Sequence, residues 1–244
     1  MLSETLGFHR RRWCFYNWNQ FAPLSEKILT AIKALSDKDI QFLVKTHHHG
    51  DHTGGNENMR KLSAIIIAHD NVRQHMQSTP KHDSSSEAKA ALPIITFKDE
   101  LNLFINGEKI RVFRIGHAHT DGDALLSFTK SNVLHTGNTY FKERYPYIDL
   151  DSEVSVNGYI NAVELGLQPI DQDIKVIPGH RKLSNKEEYQ SFLKMLEDLR
   201  SKISEEIKAG QTEVLTKTYD ALNYGTGFIN SEKIRRPFYL SLKD

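Results

Sequence analysis

The segment that most constrains this chain is residues 46–56, which read THHHGDHTGGN. Within six residues it places four side chains of the types that bind transition metals: His47, His49, Asp51 and His52. An apolar run at Ile40–Val44 comes just before it and predicts a buried strand. Imidazole and carboxylate together suit zinc or a similar ion, and a glycine-bearing loop after a strand presents side chains from a rigid base. The segment therefore predicts a metal-binding loop at a strand end.

A run of three histidines also occurs in solvated polar loops, so the triple histidine alone does not decide between the two interpretations. Two observations favour metal binding. The full string is His-x-His-x-Asp-His, and further histidines follow predicted strands later in the chain. Because successive side chains of an extended segment point to opposite sides, His48 faces away if its neighbours face an ion. We assign His48 no ligand role.

Composition narrows the classes of partner. The chain has 244 residues, 39% of them hydrophobic, which is enough for a buried core. Lys and Arg number 32 against 31 Asp and Glu, so nothing indicates a nucleic-acid or polyanion partner. The single cysteine, Cys14, excludes an internal disulfide and a cysteine-rich zinc site. The apolar runs are too short to span a membrane. We expect a small-molecule substrate, no nucleic acid and no membrane, and leave the oligomeric state open.

The first twenty residues resemble a signal peptide only superficially. Arginines at 10–12 precede an aromatic run at 13–16, but polar residues interrupt any apolar core: Asn17, Asn19 and Gln20. We expect a cytoplasmic location for the chain as written, and a periplasmic or secreted one if an upstream leader has been lost.

Hydrophobic periodicity predicts alternating helices and strands after the amino terminus. Helices are expected at residues 23–35 (capped by Ser25), 54–62, 71–77, 156–167 and 184–210, the last with a Ser184–Glu187 capping box. Strands are expected at residues 64–68, 101–105, 109–115, 124–128, 133–136 and 174–177. Asn106-Gly107 predicts a tight hairpin turn, and residues 78–91 a polar loop.

Two further histidine-bearing segments follow predicted strands. Residues 116–123 read GHAHTDGD and contain His117 and His119, either of which could bind a metal. Residues 178–180 read PGH and end with His180. Pro-Gly-His is a weak signal alone, but it stands in order behind two stronger motifs.

Together the three motifs resemble the metal-binding loops of the metallo-β-lactamase superfamily, in the branch with His-Thr-Asp-Gly-Asp. The resemblance runs from about residue 21 to residue 240. It implies an α/β (α+β) fold, the four-layer αββα sandwich. We expect one domain over residues 1–244, with residues 1–20 atypical.

The resemblance also implies two metal sites. The first ion would be held by His47, His49 and His119, since the family's ligand immediately precedes Thr-Asp-Gly-Asp. The second would be held by Asp51, His52 and His180. We expect one or two zinc ions per chain, with iron or manganese as alternatives, and a catalytic role for Asp51 in orienting the nucleophile.

The implied function is hydrolysis of an amide, lactam or ester carbonyl by zinc-bound hydroxide. A glyoxalase-type thioester hydrolase and a catalytically inactive metal-binding protein are the alternatives. A redox role with a single iron is a further one.

The chain departs from the family at Asn138. Many superfamily hydrolases have there an aspartate that bridges both metals, whereas an amide carries no charge and cannot bridge two cations in this way. We therefore expect a weaker second site, with Asn138 beside the ligands rather than among them. The substitution favours a lactamase-like arrangement slightly over a thioester hydrolase.

The amino terminus is the second departure. The family begins with strands and an aspartate before the first helix, but here no acidic residue lies between Glu4 and Glu26. Residues 8–20 also lack a clean strand pattern. We expect a truncated or frameshifted start without the first strands; the alternative is a divergent start that still forms them.

Overall fold

The structure is a computed structural model that describes residues 6–8, 14–17, 22–79, 86–148, 150, 154–212 and 229–243. The chain divides into two compact units. The amino-terminal unit comprises Leu2–Arg114 and Leu126–Ser131, and the carboxy-terminal unit comprises Ile115–Leu125 and Asn132–Asp244. That the whole chain behaves as one domain stays a prediction.

The first sheet lies in the amino-terminal unit and has five strands in the order β1-β2-β3-β4-β5. They are Leu6–Phe8, Cys14–Asn17, Ile40–Val44, Ile65–His69 and Ile95–Phe97. β1 is antiparallel to β2, and the other neighbours are parallel. The expectation that the first strands are missing is therefore wrong, whereas a truncated or frameshifted start stays a prediction. β2 forms because residues 14–17 read CFYN, whose aromatic residues favour strands, and pairing with β3 satisfies their backbone.

Five helices of the described residues accompany this sheet: α1 Ser25–Leu35, α2 Gly50–Thr53, α3 Asn56–Lys61, α4 Asp70–Ser78 and α5 Ser86–Ala90. Ser25 does not cap α1 as expected, because the cap position is Leu24 and Ser25 is already helical. The buried Ser25 hydroxyl instead contacts the Asn58 amide, 3.0 Å away. α5 lies within the stretch expected to be a loop, of which residues 80–85 fall outside the described part of the chain.

The second sheet has the order β10-β9-β8-β7-β6. Its strands are β6 Glu100–Ile105, β7 Glu108–Gly116, β8 Asp123–Phe128, β9 Val133–Phe141 and β10 Lys175–His180. The hairpin between β6 and β7 is confirmed, with φ of 55° at Asn106 and 74° at Gly107, as a two-residue turn of this kind requires. β9 runs beyond the predicted end at residue 136, so Asn138 lies inside a strand.

The carboxy-terminal unit contains three helices among its described residues: α6 Val156–Leu167, α7 Lys186–Lys208 and α8 Ser231–Leu242. Asn185, not Ser184, caps α7, since its side chain accepts from the Glu188 backbone N–H. The Ser184 hydroxyl donates to the Glu188 carboxylate instead, at 2.7 Å. An aromatic core packs beneath these helices and β9: Tyr140, Tyr159, Tyr189 and Phe192. α8 was not predicted.

Candidate metal centre

The metal-binding loop is folded by its own backbone. The Lys45 N–H donates to the Ile67 carbonyl at 2.8 Å and so continues the pairing of β3 with β4. After it, the His49 carbonyl accepts from the N–H groups of His52 and Thr53, at 2.9 and 3.0 Å. These bonds start α2 directly after the third histidine. The short helix turns Asp51 and His52 back toward the strand end.

Four predicted ligands lie close together in the amino-terminal unit. The His47 ring is 5.0 Å from the His49 ring and 4.0 Å from the His52 ring, between centroids. Ligand atoms of His47, Asp51 and His52 all lie within 4.8 Å of one another. His47 and His52 are buried, while His49 and Asp51 are half-buried. Two imidazoles and a carboxylate at this spacing fit a zinc-type ion with an open position toward solvent.

The protonation of the loop also suits metal binding, which requires neutral imidazole. Burial lowers the pKa of His52, although the neighbouring Asp51 carboxylate, 3.4 Å from Nε2, opposes this shift. His47 Nδ1 lies 3.1 Å from the Thr46 hydroxyl. Because a hydroxyl can donate or accept, Thr46 supports the His47 ring in either tautomer.

Lys45 supports the loop from beneath and was not identified from the sequence. Its side chain is buried, and Nζ donates to the His52 carbonyl at 2.7 Å. Burial lowers the pKa of Lys45 well below its ordinary value. A polar residue inside an otherwise apolar strand end was the available signal, since buried lysines are rare unless they have a partner.

The His48 ring lies edge-on to the His49 ring, with centroids 5.0 Å apart. Its ring stacks on His75 of α4, with centroids 4.1 Å apart and planes 19° apart. Both rings line a pocket of about 290 Å³ in the amino-terminal unit. Other residues around this pocket include His49, Glu57, Met76 and Ala91. The pocket therefore adjoins a predicted metal ligand.

In the carboxy-terminal unit, His119 is buried and His117 is exposed. His119 Nδ1 lies 2.8 Å from the Tyr147 carbonyl oxygen, which only accepts hydrogen bonds. Nδ1 therefore carries the proton, and Nε2 keeps the lone pair that a metal needs. The backbone carbonyl of His117 accepts a hydrogen bond from the Ser155 N–H at the start of α6.

Asp123 fixes the loop that carries His119. Its carboxylate accepts from the backbone N–H groups of His119 and Thr120, at 2.6 and 2.8 Å, and from the Thr120 hydroxyl at 2.7 Å. Burial raises the pKa of Asp123 to about 7 despite these three donors. The sequence string His-Thr-Asp-Gly-Asp contained this residue, but its spacing alone did not reveal the role.

His180 and Asn138 lie on the paired strands β10 and β9. The His180 ring stacks on Phe141, with centroids 5.6 Å apart, and Phe141 also contacts the His119 ring at 5.9 Å. Asn138 Nδ2 is 3.1 Å from His119 Nε2. The structure thus gathers His119, Asn138 and His180 at one end of the second sheet.

Comparisons with known proteins identify the family and the fold of the chain. The sequence profile of the metallo-beta-lactamase superfamily matches residues 19–202, well over half of the chain. A metallo-beta-lactamase from Pontibacter korlensis has a similar structure, with a TM-score of 0.69, 17% identity, and coverage of 80% of this chain and 87% of that one. The DIM-1 metallo-beta-lactamase has a TM-score of 0.65 and 20% identity, with coverage of 80% of this chain and 86% of that one. TMB-1 has a TM-score of 0.65 and 17% identity, with coverage of 80% of this chain and 84% of that one. A search of curated proteins found no significant match.

The chain belongs to the metallo-β-lactamase superfamily. Its fold is the mixed α/β fold of that family, with two sheets and accompanying helices, as the three motifs predicted. Among the described residues, no helix is long and apolar enough to cross a membrane.

Proposed function

We propose that this protein is a metal-dependent hydrolase that cleaves an amide, lactam or ester bond, with zinc as its ion. The observation that carries the proposal is the loop cluster, in which ligand atoms of His47, Asp51 and His52 lie within 4.8 Å of one another. Membership of a superfamily of metallohydrolases supports the same conclusion.

The proposed ligand sets are those that family membership implies. His47, His49 and His119 would hold the first ion, and Asp51, His52 and His180 would hold the second. Ions held in this way lower the pKa of a coordinated water to near neutrality and polarise a substrate carbonyl. Manganese or iron suits the same ligands, and the physiological ion is part of what must be measured.

The residues of this chain have distinct tasks in such a reaction. Asp51 is half-buried, so its carboxylate can accept a hydrogen bond from an attacking water and orient it toward the carbonyl. The buried His52 stays neutral because burial lowers its pKa. Lys45 holds the His52 carbonyl and with it the helical turn that carries Asp51.

The pocket beside His49 supports a small-molecule substrate. Its volume of about 290 Å³ is at the lower end of the range of ligand pockets in proteins. Met76 and Ala91 give it apolar walls, while imidazoles and Glu57 give it polar groups that could fix a substrate's orientation. The near-neutral charge of the chain is consistent with a partner other than nucleic acid.

The test is to measure metal content by elemental mass spectrometry on untagged protein, followed by hydrolysis assays. The substrates are a chromogenic β-lactam, a nitrophenyl ester and a glutathione thioester, each with wild type and His47→Ala. Turnover of the lactam or ester, lost in His47→Ala, is the expected result. Release of free thiol from the thioester alone would select the glyoxalase-type alternative. A fully loaded protein without any turnover would contradict the proposal and favour an inactive metal-binding protein.

A further inference from the structure

Asn138 is an unusual residue in the carboxy-terminal set of candidate ligands. Its side chain is only 5% exposed, yet among the described residues its amide oxygen Oδ1 has no hydrogen-bond partner. The amide nitrogen Nδ2 is the atom that lies 3.1 Å from His119 Nε2. A buried acceptor that has lost water without gaining a donor is destabilising, so this orientation of the amide is unfavourable at its oxygen.

The surroundings of Oδ1 also disfavour an oxygen atom at this position. A Cβ placed on Gly179 would lie 2.1 Å from Asn138 Oδ1 and 2.6 Å from the Gly137 carbonyl oxygen. Both oxygens therefore crowd the same point beside the Gly179 backbone, and both are acceptors. A donor in the place of Oδ1 would suit the Gly137 carbonyl better than a second oxygen does.

The two orientations of an asparagine amide have the same shape, and the hydrogen-bond network decides between them. Turning the amide over puts Nδ2 on the side of the Gly137 carbonyl and Oδ1 opposite His119 Nε2. Since the Tyr147 carbonyl holds the proton of His119 on Nδ1, Nε2 offers only a lone pair. Two lone pairs about 3 Å apart repel each other unless a cation lies between them, and that separation is typical of two ligands of one metal ion.

We propose that Asn138 is a metal ligand, and that its amide oxygen binds the same ion as His119 Nε2. This inference rests on the proposed function, because it requires that His119 binds an ion. It replaces the expectation that Asn138 lies beside the ligands without being one. The Tyr159 hydroxyl donates to the Asn138 backbone carbonyl and does not contact the amide, and Gly179 leaves room for the Asn138 side chain.

A neutral amide ligand has a chemical consequence. An ion bound by His119 and a neutral amide would keep its full double charge, whereas an aspartate at this position would cancel part of it. A more positive centre lowers the pKa of a coordinated water further and favours anionic substrates. Asn138→Asp should therefore bind metal more tightly but react optimally at higher pH.

The experiment is titration of the metal-free, full-length protein with Co²⁺, followed by its visible absorption and by competition with a chelator. We expect Asn138→Ala to bind the tighter ion at least about tenfold more weakly and with an altered absorption band, and Asn138→Asp to bind it more tightly than wild type. If Asn138 were only a hydrogen-bond donor to His119, it would compete with the ion, and Asn138→Ala would bind equally well or better. That result would overturn the inference.

Tyr159→Phe is the matched control, because it removes a hydrogen bond to the same backbone position without touching the amide. We expect its affinity for Co²⁺ to stay within about threefold of wild type. An equal loss in Tyr159→Phe and Asn138→Ala would mean that the effect comes from loosening β9, and would overturn the ligand role. Wild type that binds no Co²⁺ would overturn the proposed function itself, and the inference with it.

Discussion

The two sets of candidate ligands differ in how much of the chain is needed to assemble each one. In the amino-terminal unit, four ligands come from one loop and one helical turn at residues 47–52. In the carboxy-terminal unit, His119 comes from the loop before β8, Asn138 from β9 and His180 from the end of β10. The loop set is organised by bonds between near neighbours, such as His52 N–H to the His49 carbonyl. The sheet set, which is His119, Asn138 and His180, also depends on hydrogen bonds between residues far apart in the chain, such as that from His119 to the Tyr147 carbonyl.

This difference means that the two sets should respond differently to mutation. Loop ligands depend on a few local bonds and on one buried support, Lys45. Sheet ligands depend on strand pairing and on close packing, in which a single added methyl group is destabilising. The following changes test that contrast.

The largest effect is expected from removing a loop ligand. Removing groups that merely support a metal ligand weakens metal binding about 10–100-fold, so we expect His47→Ala to weaken it by at least about 100-fold. His48→Ala is the neighbouring control, since the sequence pattern assigns His48 no ligand role and its ring stacks on His75. Chelator competition measures both. Equal losses in the two variants would show that the loop collapses as a whole and that His47 has no special role.

Replacing glycine by alanine should be destabilising at Gly179, on β10, but not at Gly50, in the metal-binding loop. In Gly179→Ala, the added Cβ would lie 2.6 Å from the Gly137 carbonyl oxygen, a backbone atom that cannot move freely. We expect urea denaturation to show a loss of about 1–3 kcal/mol. At Gly50, a Cβ would meet nothing within 4 Å among the described residues, so Gly50→Ala should change stability by less than about 0.5 kcal/mol. A reversed order would refute the contrast between loop and sheet.

The buried carboxyl group of Asp123, beside His119, predicts that the stability of the folded protein depends on pH. Its pKa is about 7 in the folded protein and 3.8 ordinarily, so the folded state binds the extra proton between these values. The resulting stabilisation is complete below about pH 4 and is lost as the pH rises through about 7. For metal-free protein, we expect wild type to lose about 2 kcal/mol more than Asp123→Asn between pH 5 and pH 7. Parallel stability profiles of the two proteins would show that the carboxyl group is already ionised at pH 5.

The smallest effect is expected at Lys45, which supports the loop through one bond to the His52 carbonyl. Lys45→Met keeps most of the buried chain but removes the donor, and we expect about tenfold weaker metal binding. Lys38→Met, an exposed lysine, is the control. Chelator competition that finds Lys45→Met equal to this control would mean that the local backbone bonds alone hold the loop.

Sequence reasoning was most successful where neighbours in the chain are also neighbours in space. It placed β3 at its observed bounds and the hairpin turn at Asn106-Gly107. It failed at the cap of α1, where the apolar Leu24 holds the cap position, and at the cap of α7, where Asn185 serves and not its polar neighbour Ser184. It also missed β1 and β2, two short strands that pair with each other, of which β2 also pairs with β3.

The sequence by itself determined the family, because three ordered motifs carry that information in their own residues. It also determined the loop cluster, because a strand end, a turn and six residues are enough to bring those side chains together. Only the tertiary structure decided the proton position on His119, the buried hydrogen bond of Lys45 and the crowding of Asn138 against Gly179. The bond of His119 and the crowding of Asn138 join groups that lie apart in the chain, and the bond of Lys45 depends on the burial of its side chain, so no local pattern specifies them.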